Sequence, residues 1–184
     1  MWQLKDPQPV KLIVGILAAN HQCLHSAVDM LSDKFGRIDL SSEEWHFNQT
    51  DYYNDEIGTR ILRKFVSFEK LIDPGKLAKI KILANKYEQK LAKSLSLPLP
   101  RPINLDPGII EPSKLILAST KNFSHRIYIG KKMYAEVTLV YDKGKWRHFE
   151  YTFPDYKQEC YWEFLSKVRV RLVEQLKRYN ARKK

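Results

Sequence analysis

The chain is poor in cysteine and has no long apolar run. Its two cysteines, Cys23 and Cys160, form no CxxC spacing, which excludes a zinc ribbon or a thioredoxin-type motif. The most apolar run, residues 12–19, is far shorter than the roughly 20 residues that span a bilayer. The first residues also lack the apolar segment of a secretory signal. We therefore expect a cytoplasmic protein with free cysteines and no membrane contact.

Several well-known catalytic and nucleotide-binding motifs are also absent. The sequence contains no GxxxxGK(S/T) loop, in which backbone amides wrap phosphates, and no GxGxxG, HExxH or GxSxG. Acidic residues are outnumbered, with 21 Asp and Glu against 32 Lys and Arg, for a net charge of +11. Such a balance favours acidic partners such as nucleotides or nucleic acid, although it also fits a protein with many surface lysines.

The apolar patterning of the 184 residues predicts an α+β fold. The predicted order is strand, helix, strand, strand, helix, strand, at residues 10–19, 24–35, 40–47, 60–71, 73–91 and 115–118. This order is typical of a ferredoxin-like, split βαβ core. An antiparallel β-meander and a C-terminal helix extend the core, at residues 126–129, 133–141, 145–153 and 159–178. We expect an extended arm, a single α+β domain and a basic tail, at residues 1–9, 10–180 and 181–184.

Residues 101–126 are the stretch around which a functional site is predicted. The sequence NLDPG at 104–108 has the residues of a tight turn, from which Asn104 and Asp106 could project into a cleft. A buried apolar segment follows at 115–118. The cationic and imidazole side chains after it are suited to binding phosphate or carboxylate, or equally to a solvated loop.

Carboxylates close to predicted strand ends could serve acid–base chemistry if they converge, but could equally be separate surface acids. They are Asp51, Glu69, Asp106 and Glu136. We predict no metal site and no particular cofactor. Glu136 and Thr138 alternate with apolar residues of a strand, so they share one of its faces.

The chain resembles a bacterial and archaeal family grouped as a domain of unknown function. The motifs that carry the resemblance are TDYY at 50–53, FVSFE at 65–69, NLDPG at 104–108, STK at 119–121, HRIY at 125–128 and YAEVTL at 134–139. Members are sometimes named GTP-binding, but the P-loop that such a name implies is absent from this sequence. The polar motif positions that the resemblance implies for a site are Asp51, Tyr52, Glu69, Asn104, Asp106, Lys114, Lys121, His125, Arg126, Glu136 and Thr138.

Three functional hypotheses follow from these residues. In the first, the protein binds an anionic, phosphate-bearing small molecule such as a nucleotide. The anion would be held by Lys114, Lys121 and Arg126. Asn104 and Asp106 would take hydroxyls or amines, and Tyr52 would stack.

In the second hypothesis the protein is an enzyme acting on a phosphorylated substrate, with Glu136 or Asp106 as base and His125 as acid. In the third it binds RNA or DNA through basic helix faces and the tail. The predicted solvent-facing lysines of the second helix are Lys76, Lys79, Lys81, Lys86 and Lys90. Exposed edges of the meander would also allow a homodimer.

Overall fold

The structure, a computed structural model, describes residues 2–182, so the last two lysines of the predicted basic tail lie outside the described residues. The helices are α1 (His21–Phe35), α2 (Asn54–Ile57), α3 (Leu77–Leu95) and α4 (Glu159–Ala181). The strands are β1 (Val10–Ala18), β2 (Ile38–Ser41), β3 (Trp45–Phe47), β4 (Ile61–Ile72), β5 (Ile103–Glu111), β6 (Lys114–Ser119), β7 (Ile127–Tyr128), β8 (Tyr134–Asp142) and β9 (Lys145–His148).

All of these strands belong to one antiparallel sheet, whose order is β2-β4-β1-β5-β6-β8-β7. In addition, β3 pairs with β4 and β9 pairs with β8. The first half, β2-β4-β1-β5, has the strand order of a split βαβ unit with α1 and α3 as its crossovers. The predicted α+β class, with its ferredoxin-like core, meander and C-terminal helix, is therefore confirmed.

Helices cover both faces of the sheet. Leu12, Val14 and Ile16 of β1 belong to the core that contains α1 and α3, whereas Ile13 belongs to the core beneath α4. A strand covered on both faces is apolar along most of its length, which explains the apolar run of β1 after Lys11, whose buried ammonium donates to Asp39 at 2.6 Å. Complete burial stabilises each large aliphatic side chain by about 1.5–3 kcal/mol relative to exposure.

Capping residues set the predicted helix ends. Asn20 accepts a hydrogen bond from the Cys23 amide at 2.9 Å, and Gly36 ends α1 at a positive φ of 87°. Asp73 accepts from the Gly75 amide at 2.7 Å and begins a short 3-10 turn that leads into α3. Among residues 2–182, no helix has both the length and the apolar character needed to cross a membrane.

Three predicted elements differ in their bounds. The strand predicted at 40–47 is two short strands, because Ser42 leaves the ladder and its hydroxyl accepts from the Phe65 amide at 2.9 Å. The expected loop at 48–56 contains the beginning of α2. The strand predicted to reach Phe153 ends at His148, since Thr152 accepts from the Phe149 amide at 2.9 Å and closes a turn.

The predicted turn at 104–108 is wrong, because these residues lie inside β5. Their pairing with β1, which includes Asn104 with Leu17 and Asp106 with Gly15, holds them extended. Pro107 has no amide hydrogen to donate, and pairing between β5 and β6 begins only at the next residue, Gly108. Long-range pairing thus overrides the local turn preference of Asp-Pro-Gly.

On the N-terminal side of Gly108, strand β5 separates from strand β6. Residues 103–107 of β5 pair with β1 alone, while Leu117, Ala118 and Ser119 of β6 pair with β8. A wedge therefore opens between β5 and β6 within an otherwise continuous sheet. The side chains of Asn104 and Asp106 lie at this wedge.

Close contact at Gly108 sets where the wedge begins. A Cβ atom built at Gly108 would lie 2.7 Å from the carbonyl oxygen of Ile116 and 2.7 Å from a methyl of Leu117. We predict that Gly108→Ala lowers the free energy of unfolding by about 1–3 kcal/mol, because a backbone atom must move. Chemical denaturation measures this loss.

The matched control is Gly75→Ala. The nearest atom to a Cβ there is the Asp73 side-chain oxygen at 3.0 Å, which belongs to an exposed side chain, so the change requires no backbone movement and only weakens the hydrogen bond that this oxygen accepts from the Gly75 amide. An equal loss of stability in both variants would contradict the close-contact argument.

Candidate functional site

A cavity of about 390 Å³ occupies the wedge between β5 and β6. Its floor includes Arg63 of β4 and Leu17 of β1, and its sides include Asn104 and Asp106 of β5. The end of β6 and the residues that follow it, 117–121, form the opposite side. The cavity exists because the strands that would fill this space have separated.

Arg63 is the most unusual residue of the cavity, because its guanidinium is charged and almost completely buried at 2% exposure. It donates to Asp155, and its Nη1 atom lies 3.8 Å from the Asp106 carboxylate. Burial alone would lower the pKa of Arg63, but the neighbouring tyrosines and carboxylates raise it, so the group stays charged. Its Nε and Nη1 atoms have no hydrogen-bond partner among residues 2–182.

Aromatic rings and a glycine make room for this guanidinium. Its central carbon lies 4.7–5.8 Å from the ring centroids of Phe47, Phe65, Tyr156 and Tyr161. Gly15 of β1 pairs with Phe65 of β4 on one side and with Asp106 of β5 on the other. A Cβ there would approach Arg63 Nη1 and the Tyr156 hydroxyl to 3.1 Å each. A residue without a side chain thus lets the guanidinium lie over the central strand.

Burial and neighbouring charges change the pKa values of Asp155 and of the buried tyrosines. Burial raises the pKa of Asp155, and nearby Asp106 adds to the increase, while Arg63 opposes it. Burial also raises the pKa values of Tyr53 and Tyr156 well above the ordinary tyrosine value. The Tyr156 hydroxyl has no hydrogen-bond partner among the described residues.

Asp106 contacts Asn104 of its own strand, Lys81 of α3 and Arg63 of β4. Asn104 donates to it at 2.6 Å, and Lys81 of α3 lies 3.4 Å away while donating to the Leu105 carbonyl at 2.8 Å. The prediction that Lys81 faces solvent is therefore wrong, since it is 5% exposed. Its ammonium reaches the cavity because β5 has no second neighbouring strand at this point.

Arg101 joins α3 to the beginning of β5. It donates to Glu88 at 2.8 Å and to the Asn104 side chain, while Glu88 accepts from the Leu105 amide at 2.7 Å. Burial raises the pKa of Glu88, although Lys81 and Arg101 oppose the increase. These contacts orient Asn104 at the cavity wall.

Glu136 contacts three polar side chains on the opposite side of the cavity. It accepts from Arg126 Nε at 2.8 Å, lies 3.2 Å from His125 Nε2 and accepts from the Thr138 hydroxyl at 3.3 Å. The His125 ring stacks on Tyr151 with a centroid distance of 4.0 Å. Both carboxylate oxygens are therefore engaged, and they fix the position of Arg126.

Lys121 and Tyr52 meet at the mouth of the cavity. The Lys121 ammonium donates to the Tyr52 hydroxyl and lies 4.6 Å from the centroid of its ring. Arg126 Nη1 donates to the Lys121 carbonyl at 3.0 Å, which links this contact to the Glu136 group. Two residues predicted to hold an anion thus lie side by side.

Six of the eleven predicted site residues line this cavity, and they are Tyr52, Asn104, Asp106, Lys121, Arg126 and Glu136. His125 and Thr138 support the cavity through Glu136.

Three other predicted residues are not brought to the cavity. Lys114 pairs with Glu111 at 3.2 Å, at the opposite end of the β5–β6 hairpin. Glu69 lies near the other end of β4 from Arg63, 3.7 Å from Arg37. Asp51 accepts from the Asn54 amide group at 2.9 Å in the turn before α2.

Sequence reasoning missed Arg63, Asp155 and the cavity role of Lys81. One signal was available, because Arg63 shares a strand face with Ile61 and Phe65, where an apolar residue is expected. A cation on the inner face of a buried strand indicates a partner or a ligand. Within residues 2–182, no group of three or more His, Cys, Asp or Glu side chains is arranged to hold a metal ion.

Comparison with known families places the chain. A family described as a domain of unknown function (DUF4416) matches residues 8–171, and the chain belongs to it. The match includes every residue of the cavity described above. No curated protein and no solved structure shows significant similarity to the chain.

The unpartnered Tyr156 hydroxyl leads to a prediction about pH. Tyr156→Phe removes no hydrogen bond within the chain, so we expect unchanged or higher stability at pH 7. In the wild type the folded-state pKa of Tyr156 exceeds the unfolded value near 10, so stability is lost as pH rises above that value. One such group accounts for about 1.4 kcal/mol at pH 11.

Denaturant unfolding at pH 7 and at pH 11 measures both effects. The wild type should lose more stability than the variant between the two values, by the amount given above. An identical loss in both proteins would show that Tyr156 is not kept neutral by the fold.

Proposed function

We propose that the cavity binds a small anionic ligand that carries a phosphate group, with a nucleotide as the best candidate. The observation that carries the proposal is the buried guanidinium of Arg63, which lines the cavity and whose Nε and Nη1 atoms have no acceptor among residues 2–182. A buried donor without an acceptor is costly, and a ligand oxygen would satisfy it. Guanidinium groups are well suited to phosphate because they donate from a planar fork.

The charges around the cavity support an anion as ligand. Among the described residues, the cationic side chains that line it are Arg63, Lys81, Arg101, Lys121 and Arg126. The carboxylates that line it are Asp106, Glu136 and Asp155. Each carboxylate lies within 4 Å of a lysine or arginine of the cavity, and Arg101 is paired with Glu88 and Glu56. Among residues 2–182, Lys121 is therefore the cation of the cavity without a carboxylate partner within 4 Å, and it is the one most available to an anion.

The remaining walls suit a ligand with an apolar or aromatic part. Leu17, Phe47 and Leu117 supply apolar surface, and Tyr52 and Phe153 lie at the mouth with their rings partly exposed. A cavity of 390 Å³ falls in the range of small-molecule sites, about 300–1,000 Å³. A base stacked at the mouth and a phosphate facing the cations would use both kinds of surface.

Acid–base catalysis is a second candidate, and it rests on the 3.2 Å approach of His125 Nε2 to Glu136. The same carboxylate oxygen also accepts from Arg126, and the other one accepts from Thr138. This arrangement supports a positioning role for Glu136 more than a role as a free base. Binding is therefore the function that we propose.

We predict that a nucleotide or an inorganic phosphate compound raises the thermal midpoint of the purified protein. A ligand at about 100 times its Kd adds roughly 2.7 kcal/mol, which corresponds to about 5–10 °C for a chain of this size. Lys121→Ala combined with Arg126→Ala should weaken binding by about 100-fold, because two charge-assisted hydrogen bonds are lost. Differential scanning fluorimetry and titration calorimetry measure the two effects.

Lys114→Ala is the matched control, since it removes a lysine of β6 that does not line the cavity. Lys121→Ala alone is a second test variant, because the exposed Lys121 side chain is not needed to compensate Glu136. If affinity for every anionic ligand is the same in the wild type and both cavity variants, the proposal is wrong.

A further inference from the structure

Exposed apolar side chains are concentrated at the mouth of the cavity. Nine large apolar residues are exposed among residues 2–182, and three of them, Trp2, Leu4 and Val170, lie on the N-terminal arm and on α4. The other six belong to the cavity lining or to the segment that leaves it, and they are Tyr52, Phe123, Ile127, Tyr128, Ile129 and Phe153. Such a concentration indicates a surface that contacts a partner.

The segment from Ser119 to Met133 connects the cavity to the edge of the sheet. It begins at the cavity wall and contains β7, which pairs with β8 and ends the strand order on this side. Phe123 is 63% exposed and Tyr128 is 59% exposed. Phe123 lies 5.2 Å from the His125 ring, so exposed rings continue outward from the cavity wall.

The charge of this segment has one sign. Its fifteen residues contain no Asp or Glu, and its cations are Lys121, Arg126, Lys131 and Lys132. The first two line the cavity, and the last two are exposed in the turn after β7. Cations that alternate with exposed rings match a chain of phosphates and bases.

We propose that the segment 119–133 is a track for single-stranded nucleic acid whose terminal phosphate enters the cavity. This inference rests on the proposed function, because the cavity supplies the phosphate site. Bases stack on Phe123 and Tyr128, and backbone phosphates lie against Lys131 and Lys132. Stacking tolerates any base, since every base has a π face, so the track reads the end of the strand rather than its sequence.

Charge favours nucleic acid over a peptide added to the exposed strand edge. A peptide strand would pair with the backbone of β7 and would need neither the lysines nor a phosphate. Two cations of the segment, Lys121 and Arg126, line the cavity and two more, Lys131 and Lys132, are exposed in the turn after β7, which points to a polyanion. Nucleic acid would thus contact the segment 119–133 rather than the helix faces predicted from the sequence.

The test measures fluorescence anisotropy with labelled strands of about ten nucleotides, a length within the usual site sizes. The strands are RNA and DNA of one sequence, with a 5′ phosphate, a 3′ phosphate or neither, and a nucleoside monophosphate is the small competitor. We expect a terminally phosphorylated strand to bind at least tenfold more tightly than both the unphosphorylated strand and the mononucleotide.

Variants separate the track from the cavity. Phe123→Ala should weaken strand binding about tenfold and leave mononucleotide affinity unchanged. Lys131→Gln with Lys132→Gln should reduce the slope of log affinity against log salt by about 1.4, since each phosphate contact accounts for about 0.7.

Two controls match these variants in chemistry but lie elsewhere in the fold. Lys143→Gln changes a lysine that shares the positive φ of Lys131 and Lys132 but lies at the other end of β8. Val170→Ala changes an exposed apolar residue of α4. Neither change should alter strand affinity or its salt dependence.

The outcomes distinguish the two proposals. If the mononucleotide binds and a phosphorylated strand binds no more tightly, the track is wrong and the cavity function stands. If strands bind equally with and without a terminal phosphate, or if Lys121→Ala has no effect on them, the track does not lead to the cavity and the inference is overturned. If neither strand nor mononucleotide binds, the track is overturned, and the cavity function is decided by the thermal midpoints measured with the other phosphate compounds.

Discussion

A charged guanidinium buried at the centre of the sheet is the constraint on which the site depends. Removing a charge from water costs several kcal/mol unless partners compensate for it. Around Arg63 the compensation comes from Asp155, from Asp106 and from the faces of aromatic rings. Because Asp155 follows β9 and Asp106 belongs to β5, this one side chain joins the meander to the ferredoxin-like core.

Compensation of this guanidinium is incomplete, and the incompleteness gives the cavity its chemical character. Two of its nitrogen atoms, Nε and Nη1, and the hydroxyl of Tyr156 lack partners among the described residues. Unsatisfied buried groups are rare in folded proteins and are common where a ligand completes the network. The cavity thus combines a rigid floor, fixed by the sheet, with donors that an anionic oxygen can occupy.

Separation of β5 from β6 opens the cavity that Arg63, Asp106 and Tyr156 line. If residues 103–107 of β5 were also paired with β6, backbone hydrogen bonds would occupy the space that the cavity takes. The separation also allows Lys81, from a helix on the opposite face, to approach Asp106. One break in the hydrogen-bond ladder therefore assembles side chains from both layers of helices and from the sheet.

Local sequence signals predicted the helices well and missed strand β5. Helical periodicity and capping residues such as Asn20 and Asp73 act within a few residues, so α1, α3 and α4 lie close to their predicted positions. The Asp-Pro-Gly of β5 has strong turn preferences, yet pairing with β1 keeps it extended. That pairing joins residues about 90 positions apart in the chain, and no short window contains it.

By itself the sequence determined the α+β class, the ferredoxin-like order of the first elements and the concentration of cations after β6. These properties follow from patterns that repeat within one helix or strand. Only the tertiary structure decided which polar residues meet. It brought Lys121, Arg126 and Glu136 into one cavity with Asp106, kept Lys114 and Glu69 away from it, and added Arg63. The physical reason is that strand register and the separation of β5 from β6 before Gly108 set these distances. Both arise from pairing between segments far apart in the chain.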